Sequence, residues 1–120
     1  MRLNGELYSI GEISLSEEGQ GSALVTLNPE SVVYKAHFPT MPITPGVCLV
    51  QMCIDILSMA HKRNLVLSEA KDIRFLVPVL PERNADLRVE FTSTDSDLVV
   101  ASLQVFCGDV CHAKMKITLV

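Results

Sequence analysis

The chain has 120 residues, enough to bury about two thirds of its unfolded surface in one core and too few for more than one ordinary domain. Ten Lys and Arg stand against 14 Asp and Glu, for a net charge of −4, and the largest basic cluster is His61-Lys62-Arg63, which argues against a nucleic-acid surface. Hydrophobic residues make up 48%, but the one long apolar stretch, 47–60, is broken by Gln51, Asp55 and Ser58 and is too short and polar for membrane insertion.

The first residues, MRLNGELYSIGEI, lack a continuous apolar run followed by a small-residue cleavage site, so a cytoplasmic protein is expected. In that setting Cys48, Cys53, Cys107 and Cys111 are expected as reduced thiols. Their C-x4-C and C-x3-C-H spacings match no common zinc site, and no metal or other cofactor is called for.

Strand signals run over 6–15 and, after the turn-like EEGQG at 17–21, over 22–28, which reads as a hairpin with Ala23, Val25 and Leu27 on one face. One helix is predicted from Pro45-Gly46 to about Arg63-Asn64, because proline suits a first turn and Lys62 and Arg63 complement the carboxyl end of the dipole. It is apolar almost all round, so something must wrap it. Gln51, Asp55 and Ser58 recur at i, i+4 and i+7 as a narrow polar stripe, which marks either a solvent side or a seam lining a cavity or a subunit interface. Cys48 and Cys53 lie within this helix as small hydrophobes.

A strand over 70–77 is ended by Pro78 and Pro81. Leu87, Val89 and Phe91, then Val99 to Val105 at every second position, then Cys111 to Leu119 at every second position, give three more strands with one buried face. Gly108-Asp109 suits a tight hairpin turn between the last two. His61 at the helix end and His112 on a polar strand face are expected in solvent. The sum is an α+β fold: a single domain over 1–120, an antiparallel sheet of about six strands wrapped around one long central helix.

Residues 37–46, HFPTMPITPG, carry the chemistry. Pro39, Pro42 and Pro45 keep the segment extended and remove three backbone donors, so it forms a stiff bracket leading into the helix. The first helical amides, Gly46 and Val47, are unpaired and positively polarised, and a glycine there lets a ligand oxygen approach the backbone. A lone imidazole, His37, precedes them.

The pattern HFP-x-x-P-I-x-P-G-V resembles the active-site segment of the β-hydroxyacyl-acyl-carrier-protein dehydratases, which have the hotdog fold. Residues 74–81, RFLVPVLP, are similar to that family's R-F-x-x-P-V-x-P strand. The resemblance implies that His37 is the base that takes a proton from the carbon beside the thioester, and that the Gly46 amide holds the developing enolate. It places Gln51 where the family carries its acid, and Asp55 one turn later where the family tends to carry Gln. Carboxylate and amide have exchanged places. It further implies that Phe38, Gly46, Val47, Met52, Phe75 and Val79 contact the acyl substrate, with Met41, Val50 and Cys53 as further candidates for an apolar tunnel. Thr40 stands where the family usually has glycine.

The resemblance also implies an acyl-carrier-protein or CoA thioester partner, fatty-acid or related acyl-chain biosynthesis, and a homodimer sharing its active sites, with trimers of dimers known in the family. The edge for that dimer is expected near 85–93 or 98–107. Three readings follow: a 3-hydroxyacyl dehydratase with weakened or relocated acid catalysis through Asp55 or a water held by Gln51; a non-catalytic acyl-chain binder or silent partner of an active homologue; and a thioesterase using Asp55 to activate water.

Overall fold

The structure, a computed structural model, describes residues 2–36 and 40–120. The alternating segments of the second half fold as an antiparallel meander of β4 (Asp86–Ser93), β5 (Val99–Cys107) and β6 (Val110–Leu119). Their odd-numbered apolar residues are buried together, from Leu87 to Leu119. The turn between β5 and β6 falls at Gly108-Asp109, and Gly108 takes the positive φ of 58° for which it is suited.

The first hairpin, β1 (Tyr8–Leu15) and β2 (Gln20–Leu27), adds its second strand to β4. After the helix, β3 (Leu67–Phe75) adds to the far side of β6, giving one six-stranded antiparallel sheet in the order β1-β2-β4-β5-β6-β3. This corrects the expected edge. Both 85–93 and 98–107 form interior strands, because β2 occupies the free side of β4 and β6 that of β5. The open edges belong to β1 and β3.

A short helix, α1 (Val32–Ala36), precedes the proline bracket and was not expected from the sequence. Its start is held from afar: the Glu6 carboxylate accepts from the Val32 amide and the Ser31 hydroxyl, each at 2.9 Å. The main helix, α2 (Gly46–His61), buries Cys48, Leu49, Met52, Cys53, Ile54, Ile56 and Leu57 in the core it shares with the sheet. At roughly 1.5–3 kcal/mol for each large apolar side chain, this burial holds the helix in place. The helix stops two residues before its expected end. Lys62 turns left-handed (φ 54°), and the Lys62 and Arg63 amides bond to the carbonyls of Met59 and Ser58, a Schellman closure.

Two histidines expected in solvent are buried. The His61 side chain is 2% exposed, with Nε2 2.8 Å from Ser93 Oγ and Nδ1 3.6 Å from the Asp95 carboxylate. The end of β4 and its turn close over the helix terminus, drawn down by Arg63, whose guanidinium donates to the carbonyls of Ser96 and Asp97. His112 is 3% exposed, because the chain leaving β3 crosses over it. The Leu76 and Val77 amides donate to its carbonyl, and its Nδ1 lies 3.0 Å from the Val77 oxygen. A carbonyl only accepts, so Nδ1 carries the proton, and Nε2 has no partner among the described residues.

Candidate active-site groove

The path into α2 is fixed on either side of 37–39. The Tyr34 hydroxyl, from α1, lies 2.8 Å from Thr44 Oγ1, and the Thr44 amide donates to the Val79 carbonyl at 2.8 Å. Pro45 then caps the helix in an extended conformation with no side-chain hydrogen bond to the first turn. The amides of Gly46 and Val47 therefore open the helix as the sequence predicts, uncapped by any described side chain. The missing side chain at Gly46 has a definite use here: a Cβ would lie 2.5–3.0 Å from three carbons of the Phe75 ring. The ring takes the space that a side chain at 46 would occupy. Phe75 is 51% exposed and Val47 75%, so both sit at the rim.

The polar stripe of α2 faces a groove of about 620 Å³ between the helix, residues 2–4 and residues 64–65. Gln51, Asp55 and Ser58 all line it. Their spacing does what i, i+4 geometry allows: Gln51 Nε2 donates to Asp55 Oδ1 at 2.9 Å. The other carboxylate oxygen, Oδ2, accepts from the hydroxyl of Tyr8, a residue 47 positions away. Tyr8 is 1% exposed. Burial first, and then the hydrogen bond to Asp55, pushes its phenol well above the usual tyrosine range, so it stays a donor. Asp55 thus accepts at both oxygens, while the Gln51 carbonyl oxygen remains for the groove.

Of the expected site residues, the structure brings Gln51 and Asp55 together in the groove with Val47, and sets Gly46 against Phe75. Met52 and Val79 are fully enclosed in the core, as is Cys53, whose thiol is pushed up to about 12 by burial; Met41 is exposed. His37 and Phe38 lie outside the described residues. Tyr8 was missed. The available signal was a phenol at the inward position of a strand start, because a buried tyrosine hydroxyl needs an acceptor and the stripe of α2 offers one.

Six antiparallel strands carrying one long helix with a groove on its open side form the hotdog architecture. The dehydratase heterocomplex ApeI:P from Xenorhabdus doucetiae has the same fold, with a TM-score of 0.68 at 16% identity over 92% of this chain and 96% of that one. The sequence model of the ApeI-like family, described as ApeI dehydratase, matches residues 14–114, and the chain belongs to that family. Among curated proteins it is 28% identical over 118 residues to the 3-hydroxyacyl-[acyl-carrier-protein] dehydratase FabZ of Novosphingobium aromaticivorans, covering 91% of this chain and 73% of that protein. It is 25% identical over 120 residues to the FabZ of Clostridioides difficile, covering 92% and 83%.

Proposed function

We propose that the protein dehydrates 3-hydroxyacyl thioesters carried by an acyl carrier protein or CoA, within fatty-acid or related acyl-chain biosynthesis. The observation that carries this reading is the groove in which the open face of α2 presents an amide and a carboxylate, Gln51 and Asp55, below an uncapped helix start at Gly46. Membership in a dehydratase family gives it direction.

In this reading His37 removes the proton from C2 of the acyl chain, and the charge gathering on the thioester oxygen is met by the Gly46 amide. The C3–O bond then breaks. Asp55 accepts hydrogen bonds at both oxygens and aims no proton at the substrate. The proton taken from C2 therefore meets the departing hydroxide through a water held at Gln51, and one water leaves for each double bond formed. His37 comes from one subunit, and Gln51 and Asp55 from a second copy whose groove faces it, so the working unit is a dimer.

A second reading is favoured by Gln51, which stands at the family's acid position with its amide engaged by Asp55. In it the chain binds acyl groups, or serves as the silent member of a heteromer, without chemistry of its own.

Turnover of a 3-hydroxyacyl thioester by the purified protein tests both. His37→Ala is expected to lower the rate about 100-fold to 10,000-fold, and Asp55→Asn about 10-fold, the loss of one hydrogen bond to a charged group. If wild type and both variants match the no-protein blank, the dehydratase reading fails. Binding of acylated carrier protein without turnover then supports the silent partner, whereas release of free thiol would indicate thioester hydrolysis.

A further inference from the structure

We infer that Tyr8 is the positioning residue of this groove, fixing the Asp55 carboxylate from below and, through it, the Gln51 amide. The inference rests on the reading of the groove as the site of reaction. Three observations carry it. The Tyr8 ring is enclosed and its hydroxyl meets Asp55 Oδ2. The opposite oxygen, Oδ1, receives the Gln51 amide at 2.9 Å, so donors on both sides leave the carboxylate plane one orientation. Tyr8 is itself immobilised by its backbone, since its amide donates to the Leu3 carbonyl and its carbonyl accepts from the Gly5 amide. Leu3 and Asn4 line the same groove, so the segment that anchors Tyr8 is also a wall of the site.

A buried tyrosine needs only some acceptor, and a backbone carbonyl would satisfy it. Here the acceptor is a half-buried carboxylate whose second oxygen organises the residue at the family's acid position. Without the phenol, Asp55 is free to rotate about its side-chain bonds, and the Gln51 amide loses its fixed acceptor. The substrate still binds, but the water at Gln51 is no longer held in line with C3.

The test is Tyr8→Phe, which deletes one oxygen and keeps the ring. On a 3-hydroxyacyl thioester, kcat is expected to fall about 10-fold with KM changed less than twofold, and Tyr8→Phe/Asp55→Asn to be no slower than Asp55→Asn alone, because the two act as one unit. An unchanged kcat, or losses that multiply in the double variant, overturns the inference. A second readout is independent of turnover. Of the two Gln51 side-chain amide protons, followed by NMR, the one bonded to Asp55 is expected to be shifted from its usual position and to exchange more slowly with water than its neighbour, and both differences are expected to shrink in Tyr8→Phe. If wild type shows no turnover but this change appears, the positioning role stands and the dehydratase reading falls; if the pair is unaltered, the positioning role falls. Should Tyr8→Phe not fold, Asp55→Ala supplies the same comparison through the Tyr8 hydroxyl proton, expected as a slowly exchanging signal in wild type and absent in the variant; its persistence overturns the role.

Discussion

Two glycines separate space that can yield from space that cannot. A Cβ at Gly46 meets the outer carbons of the half-exposed Phe75 ring, which can swing into solvent. A Cβ at Gly21 lies 2.5 Å from the Ser14 carbonyl oxygen and 2.4 Å from the buried Phe91 ring, and neither can leave. Gly46→Ala is expected to cost less than about 1 kcal/mol and Gly21→Ala about 3 kcal/mol by chemical denaturation; equal costs would show that Phe75 is held as firmly as the core. Lys62 carries the opposite strain, a side chain in the left-handed region. Lys62→Gly is expected to stabilise by about 0.5–1 kcal/mol, read as a rise of a few degrees in Tm. At Cys53, burial raises the thiol from its ordinary 9.0 to about 12. The unfolded chain therefore releases that proton first, so the stability tied to the neutral thiol is complete below pH 9 and is lost as pH rises from 9 towards 12, at about 1.4 kcal/mol per unit. Tm should fall less steeply over that range in Cys53→Ala than in wild type, and parallel curves would contradict the assignment.

Whole elements were legible where burial leaves a local mark. The alternation in β2, β4, β5 and β6 is the direct trace of one face packed against α2, and the helix start at Pro45-Gly46 follows from local backbone chemistry. Strand order left no such trace. β5 is interior because β4 and β6 flank it, but whether β4 or β6 forms an edge depends on where β2 and β3 land, which no stretch of ten residues records. α1 was hidden for a similar reason, since its capping carboxylate, Glu6, is 26 positions from the amide it holds. The site divides the same way. The Gln51–Asp55 pair was readable from helical spacing, whereas the phenol beneath it comes from 47 positions away. The two misplaced histidines belong here too: each is buried by a turn or crossing segment remote in sequence, while its own element presents it outward.

At the scale of the molecule, the open side of α2 and the free edge of β3 are neighbours. Phe75 at the end of β3 lies on Gly46 at the start of α2, and the groove runs from Val47 to Asn64 and Leu65, just before β3 begins. Val47 and Met59 are exposed in the groove, and Val66, Leu67, Phe75 and Leu76 are exposed at the two ends of β3, apolar surface beside an unpaired strand edge of the kind a second chain covers. A second copy, or a related chain, placed against β3 would cover these residues, as the proposed two-subunit reading requires. Light scattering on the purified protein is therefore expected to give twice the 13.2 kDa of one chain. Val66→Lys/Leu76→Lys, which puts charge on both ends of the rim, is expected to shift the mass towards a single chain and to abolish turnover without loss of secondary structure. On the proposed two-subunit reading, the wild-type rate per chain should fall on dilution through the dissociation range. A monomer whose rate per chain is constant with concentration would show that the groove is complete within one chain, and the two-subunit arrangement would have to be abandoned.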